Sequence, residues 1–327
     1  MSRYARQMAV KEFGASGQQS LQRAGALVIG AGGLAAPVLQ YLVGAGIGWL
    51  RLVDPDEVEL SNLHRQTLFR IDDLGTKKAI AAANHMKALN SDTKIEPLVT
   101  WFNPANATAL TEGVDLVLDC ADSFAASYIA SDLCLEHRIP LISASVVGRT
   151  GYSGGFCGDS APGLRAVFPD LPEQLGSCAT DGVLGPAVGV VGALQADMAV
   201  RVLAHLEPSP LGQLITFDEG ARTGGFRFDD APNPDSNPAF VATEDIKSDD
   251  FLVDLRAADE PGPPLQAARR LTVDTFGPGG PVPANNQRAI IACRSGLRAW
   301  QAAKRLSQVW DGEIKLLALG DRQISKQ

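Results

Sequence analysis

Cysteine and histidine are scarce in this chain, which holds five Cys and four His in 327 residues. The cysteines (Cys120, Cys134, Cys157, Cys178 and Cys293) form no C-x-x-C pair and are odd in number. That argues against a disulfide framework and fits a reducing, cytoplasmic setting. The histidines (His64, His85, His137 and His205) lie far apart and show no zinc-site spacing. Positive charge is also in deficit, with 29 Lys and Arg against 37 Asp and Glu, a net charge of −8. A nucleic-acid partner, which wants an excess of Lys and Arg, is not expected. Long apolar runs are missing too. The stretch from Leu34 to Ile47 is interrupted by Pro37, Gly44 and Gly46, short of the roughly 20 residues a membrane span needs. The start, Met1 to Arg6, lacks the apolar stretch of a signal peptide. No membrane partner is expected.

What is there reads as globular. Hydrophobic residues make up 45% and charged residues 20%, too apolar for a disordered chain. The length suggests roughly two domains of about 150 residues each.

The first part alternates apolar strands with helical stretches. Ala26 to Gly30 is a short apolar run ending in glycine, and Trp49 to Asp54 is a second run ending in an acid. Ile95 to Val99, Val114 to Asp119 and Pro140 to Ala144 follow as strands. Leu34 to Val43, Lys78 to Leu89, Phe124 to Glu136 and Gly185 to Leu206 read as helices. Leu211 to Phe217 and Gly225 to Phe228 are late strands. Strand–helix alternation predicts a doubly wound α/β sheet. Acid- and proline-rich residues 229–247 then read as a linker between a first domain, 1–228, and a second, 248–327. The second opens with the strand Phe251 to Asp254. It continues with the strand Arg288 to Cys293, the helix Leu297 to Leu306 and the strand Glu313 to Leu317. Pro261 to Pro283 resists assignment.

Gly30-Ala31-Gly32-Gly33 stands between the first strand and its helix. Glycines there let the backbone turn sharply and approach a phosphate, and the helix N-terminus adds free N–H groups and a positive dipole. Asp54 ends the next strand, where such folds place an acid that binds ribose hydroxyls. This much predicts a nucleotide site and leaves a nicotinamide-dependent dehydrogenase open.

The segment Ser61-Asn62-Leu63-His64-Arg65-Gln66 has no obvious use in a dehydrogenase. Set in order with Arg3-Tyr4-x-Arg6-Gln7, Gly30-x-Gly32-Gly33-Leu34, Asp54-x-Asp56, Gly75-x-x-Lys78 and Asp119-Cys120-x-Asp122, it resembles the adenylating family of MoeB, ThiF and the ubiquitin-activating E1 enzymes. The resemblance covers roughly residues 3 to 228. It implies a Rossmann-like, mostly parallel sheet of ThiF/E1 type. It also implies ATP and Mg²⁺, with Asp54 on the ribose, Asp56 in the nucleotide site, and Asn62, Arg65, Gln66 and Lys78 around the phosphates. Asp122 would hold the metal. Arg6 would be supplied from a partner subunit, which implies a homodimer. Read singly, Arg65 also fits a surface ion pair, Lys78 a solvated helix face and Asp122 a helix N-cap.

In the resembling family a cysteine placed like Cys178, in Gly176-Ser177-Cys178-Ala179, sits on a crossover loop and can bond to the activated partner protein; related proteins often need no such step. Cys120, Cys134 and Cys157 read as buried packing. Many relatives carry two C-x-x-C pairs that bind zinc. Here Gly163 and Ala166 stand at the first pair's ligand positions and no cysteine falls near 233–238, so no zinc is expected.

The C-terminal unit resembles a rhodanese, a small α/β sulfurtransferase module. Asp254-Leu255-Arg256 matches an early motif and Cys293-Arg294-Ser295-Gly296-Leu297-Arg298 the active loop. Loop N–H groups and arginines would stabilise a thiolate or persulfide at Cys293. The usual segment between the motifs is missing, so the module looks trimmed. Together the resemblances imply adenylation of the C-terminal carboxylate of a small ubiquitin-like sulfur carrier ending in Gly-Gly. Sulfur transfer from Cys293 would follow, supplied by a donor such as a cysteine desulfurase. The alternatives are a same-fold enzyme that adenylates a small carboxylate, a peptide or a tRNA base, and a non-catalytic scaffold that binds a ubiquitin-like protein.

Overall fold

A computed structural model describes residues 3–170, 181–218, 220, 222–234, 237–260 and 264–320. In chain order its elements are α1 (Ala5–Met8), α2 (Gly14–Arg23), β1 (Gly25–Ile29), α3 (Ala35–Ala45), β2 (Trp49–Val53), α4 (Lys78–Leu89) and β3 (Lys94–Leu98). Then come α5 (Ala107–Thr111), β4 (Leu116–Asp119), α6 (Phe124–His137), β5 (Pro140–Val147), β6 (Thr150–Cys157), α7 (Leu164–Val167), α8 (Gly185–Leu203), β7 (Gln213–Phe217) and β8 (Thr223–Arg227). The last are β9 (Ala239–Phe240), β10 (Phe251–Asp254), β11 (Arg269–Arg270), β12 (Ala289–Cys293), α9 (Leu297–Leu306) and β13 (Ile314–Ala318).

The first eight strands form one sheet in the order β3-β2-β1-β4-β5-β6-β7-β8. From β3 to β5 neighbouring strands are parallel, and from β5 to β8 they are antiparallel. Burial explains the parallel half. Every residue of β1 is buried, and its side chains alternate between two cores. Ala26 and Val28 join α3 and α8 on one face, while Leu27 and Ile29 join α6 on the other. A strand covered on both faces reads as an unbroken apolar run. The strand order reverses between β1 and β4, the switch point where an open α/β sheet leaves a crevice beyond its strand ends.

Helix α8 is the one described helix long and apolar enough to cross a membrane by length and composition. Its Val188, Val191, Ala196, Met198 and Ala199 are buried in the core shared with α3 and the sheet. That is how a central core helix disposes of its apolar face.

A second, five-stranded parallel sheet has the order β11-β10-β12-β13-β9. Its edge strand β9 pairs with β13 and comes from residues 229–247, the segment expected as a linker. Earlier residues of that segment are fastened to the first sheet's side of the molecule. The Gly163 N–H donates to Asn233 Oδ1 at 2.8 Å, and Arg165 Nη2 donates to the Pro238 carbonyl at 3.5 Å. The Arg165 guanidinium also grips Asp132 through two bonds, at 2.7 and 2.8 Å, and lies over the rings of Tyr128 and Trp300.

Strand β6 was not expected. Its sequence, Thr-Gly-Tyr-Ser-Gly-Gly-Phe-Cys, has too many glycines to show an apolar period. Helices α1, α2 and α5 also went unread.

Candidate active site

The cleft lies beyond the carboxyl ends of β1, β2 and β4. Gly30 leaves β1 with φ +90, and a Cβ there would stand 2.8 Å from the Cys120 carbonyl. Only glycine fits a backbone turned this way and pressed this close. The turn is tied to Asp54 at the end of β2. The Ala31 N–H donates to Asp54 Oδ2 at 2.7 Å, and the Asp56 N–H donates to Oδ1 at 2.8 Å. Burial pushes the Asp54 carboxyl up, against the pull of those bonds and of Lys78.

The segment from Ser61 to Gln66 folds back onto the glycine turn. Gln66 Nε2 lies 3.7 Å from the place a Cβ would take on Gly32, and the Arg65 carbonyl 3.3 Å from that on Gly33. The start of α8 backs this segment, since a Cβ on Gly185 would stand 2.5 Å from the His64 carbonyl. Asn62 anchors it internally: its carbonyl accepts the N–H groups of Arg65 and Gln66 at 3.1 and 2.9 Å. Arg65 Nη1 donates to the Ser61 carbonyl at 3.3 Å and meets His64 Nε2 at 2.8 Å. The Gln66 side-chain oxygen is buried without a partner. An orphaned acceptor on a cleft wall is a cost unless a ligand donates to it.

Lys78 opens α4 and is buried, with its ammonium 3.0 Å from the exposed Asp56 carboxylate. Asp122 stands exposed between β4 and α6, two residues past Cys120, whose carbonyl touches Gly30. Gly30, Gly32, Gly33, Asp54, Asp56, Arg65, Gln66 and Lys78 are therefore linked around the switch point, Asn62 holds the Arg65 segment through its backbone, and Asp122 follows the Cys120 carbonyl that packs on Gly30. Among the described residues no cluster of three or more His, Cys, Asp or Glu could hold a metal by itself. A lone exposed aspartate suits Mg²⁺ carried in on phosphates, since that ion keeps few protein ligands.

Arg6 is not brought to this crevice. Helix α3 leads away from the glycine turn for 11 residues, about 16 Å, and α1 is pinned to its far end. Gln7 Nε2 donates to the Ala45 carbonyl at 3.1 Å, and the Tyr4 ring closes on Gly46. Arg6 is exposed there. Cys178 lies outside the described residues.

Behind the cleft is a carboxylate that sequence reasoning missed as a working group. Asp119 ends β4 fully buried, with Ser143 Oγ donating to it at 2.8 Å. Burial pushes its carboxyl up from 3.8 to about 6, although hydrogen bonds from Ser127, Ser143 and Ala121 oppose the rise. Gln195, also missed, donates to the Asp119 and Ile142 carbonyls at 2.8 and 3.1 Å. A lone glutamine within an apolar helix was the available signal. Cys120 is buried beside it, with its thiol pushed up by burial and by Asp119.

The Asp119 shift gives a stability prediction. The folded state holds this proton up to about pH 6 and the unfolded chain only to about 3.8. Stability is therefore lost as pH rises between those values, by about 3 kcal/mol at roughly 1.4 kcal/mol per unit. Asp119→Asn should flatten that slope and leave the variant more stable than the parent at pH 8. Denaturant midpoints measured from pH 4 to pH 8 check it. A variant less stable than the parent at pH 8 would contradict it.

In the second sheet the two expected motifs meet. The Leu255 N–H donates to the Ala292 carbonyl at 2.9 Å, and Arg298 Nη1 to the Leu255 carbonyl at 3.0 Å. Asp254 and Arg256 form a buried ion pair at 2.9 Å. Cys293 ends β12 and is buried, its sulfur accepting the N–H groups of Gly296 at 3.1 Å and Ala299 at 3.4 Å. The expected donors are present, yet burial outweighs them and the Arg298 charge, and it pushes the thiol up. In this state Cys293 is a closed-over thiol.

Fold and cleft together define a doubly wound α/β domain with a polar, glycine-floored site at its switch point, joined to a small parallel α/β unit. Residues 4–238 match the ThiF family model. The chain belongs to the ThiF family. It is 39% identical over 227 residues to the adenylyltransferase and sulfurtransferase MOCS3 of Xenopus laevis, covering 69% of this chain and 50% of that protein. It is 41% identical over 203 residues to the adenylyltransferase and sulfurtransferase UBA4 of Yarrowia lipolytica, covering 62% and 51%. The chain thus spans about half the length of the curated relatives it matches. Among solved structures, E. coli MccB with AMPCPP and MccA superposes with a TM-score of 0.63 at 21% identity, over 71% of this chain and 73% of that one. The likeness extends to the fold.

Proposed function

We propose that this protein uses ATP to adenylate the C-terminal carboxylate of a small ubiquitin-like sulfur carrier ending in Gly-Gly, and then converts it to a thiocarboxylate. The observation that supports the reading is that the Arg65 segment packs on the glycine turn, which is tied to Asp54, with Lys78 paired to the neighbouring Asp56. A carboxylate oxygen attacking the α-phosphorus forms a P–O bond, and pyrophosphate leaves with the electrons of the bond that breaks. Arg65 and Lys78 neutralise the charge that builds on the phosphates. Asn62 and Gln66 line them, and Asp54 and Asp56 hold the ribose side. Asp122 would hold Mg²⁺, which would supply further charge neutralisation. Lys78 trades its bond to Asp56 for the phosphates. Arg6, remote from its own cleft, serves a partner's cleft in a homodimer.

The second unit, residues 248–327 beyond the 229–247 segment, acts in this reading as a trimmed rhodanese-like module. A protein persulfide, such as that of a cysteine desulfurase, loads Cys293. The outer sulfur attacks the acyl carbon, a C–S bond forms, and AMP leaves with the acyl–oxygen electron pair. A thiol then attacks the Cys293 sulfur and frees the thiocarboxylate, keeping Cys293 in a disulfide. Cys178 is one candidate for that thiol.

ATP–pyrophosphate exchange with the purified chain tests the reading. Exchange that depends on the carrier supports it. Exchange with a free small carboxylate alone favours a different substrate, and carrier binding without exchange favours a scaffold.

A further inference from the structure

The geometry points to a cis arrangement, in which the Cys293 loop of each chain serves the adenylating cleft of that same chain, with Phe124 as the positioning residue. The inference rests on the function proposed above and adds which cleft receives the sulfur.

Helix α6 is the element the two sites share. Its first residue, Phe124, follows Asp122 and Ser123 in the turn that leads out of β4. Phe124, Tyr128 and Asp132 are spaced four residues apart and so fall on one face of the helix. That face is the one turned toward the second unit. The Phe124 ring lies 3.6 Å from the position a Cβ would take on Gly296, and Phe240 closes the same spot to 2.7 Å. Tyr128 meets Trp300 of α9 at 6.0 Å between ring centroids. Asp132 holds the Arg165 guanidinium, which lies 4.7 Å over Tyr128 and 5.3 Å over Trp300.

Gly296 belongs to the cysteine loop itself. Its φ is +90, and its N–H donates to Cys293 Sγ at 3.1 Å. One residue therefore separates the sulfur from the Phe124 ring, and that ring is two positions from Asp122. Docking along α6 gives a persulfide on Cys293 a high effective concentration toward its own cleft, and a copy of the chain reaching across would have to give that up.

Two chains, each inactive in one step, test this. Lys78→Ala lacks adenylation and Cys293→Ala lacks the sulfur site. Each is given ATP, a protein persulfide and a ubiquitin-like carrier ending in Gly-Gly, alone and after co-purification as mixed oligomers. The cis arrangement predicts that the mixture makes no more thiocarboxylate than the two variants apart. Recovery of about a quarter of the parent's yield or more, the level that exchange between copies would allow, overturns it.

Phe124→Ala tests the positioning residue. Carrier-dependent pyrophosphate exchange and thiosulfate-to-cyanide transfer by Cys293 should stay at parent rates, while thiocarboxylate formation from the persulfide falls about tenfold. Free sulfide should restore the product, and Phe124→Leu should recover most of the rate. Equal loss in all three assays, or no loss in any, overturns the role. If the parent itself shows no carrier-dependent exchange, the underlying function fails, and that result is separate from the two above.

Discussion

Arg65→Ala should lower carrier-dependent ATP–pyrophosphate exchange by about 10²- to 10³-fold, the scale on which a lost transition-state donor is felt. The thermal midpoint should not move. The reasoning is electrostatic. Arg65 contacts the Ser61 carbonyl and the His64 ring, and among the described residues no carboxylate pairs with it. Its charge is therefore available to an incoming triphosphate. It is half-buried, and its backbone lines the glycine turn, so truncating the side chain removes charge and leaves the segment's backbone anchors intact. Lys78 differs, because its ammonium is already bonded to Asp56. Steady-state exchange beside a melting curve checks the prediction. Full activity in the variant would remove Arg65 from the phosphate site.

The second large effect is expected at Cys293. Cys293→Ala should leave exchange at the parent rate and reduce thiocarboxylate formation from a protein persulfide by at least about 10²-fold, since no other side chain can carry the sulfur in this loop. Added free sulfide should bypass the block. The sulfur is buried at the end of β12 under Gly296 and Ala299, so loading requires the loop to open, and the variant isolates that step from adenylation. Mass spectrometry of the carrier reads the result. An unchanged yield without sulfide would exclude Cys293 as the carrier of sulfur.

The centre of the first sheet was legible because β1 and β4 are buried on both faces and the strands end at recognisable residues. The run ending at Gly30 and the run ending at Asp54 mark β1 and β2, and the alanine-rich stretch Lys78 to Leu89 is helix α4 residue for residue. The crevice was legible for a different reason. Its candidate residues lie in short motifs spaced along the chain, and the fold brings the Ser61–Gln66 segment onto the glycine turn while leaving Arg6 remote.

What was not legible depends on contacts between distant segments. Strand β6 is held by pairing to β5 and β7 despite its glycines. Strand β9, inside a stretch of linker-like composition, is an edge strand because β13 offers it a partner. The loop motif reveals the donors around Cys293 but not the depth at which the sulfur sits, which depends on packing from distant segments. Phe124 and Gln195 look like ordinary helix residues until the second unit and Asp119 are placed beside them.

The central claim is that a triphosphate binds over the glycine turn, between Asp54 and the cationic side chains. A crystal structure with a non-hydrolysable ATP analogue tests it most directly. The account predicts phosphates over Gly30 to Gly33, within hydrogen-bond reach of Arg65 and Lys78, with Asp122 beside them and the ribose at Asp54. A nucleotide bound elsewhere, or one whose phosphates touch neither Arg65 nor Lys78, would contradict it.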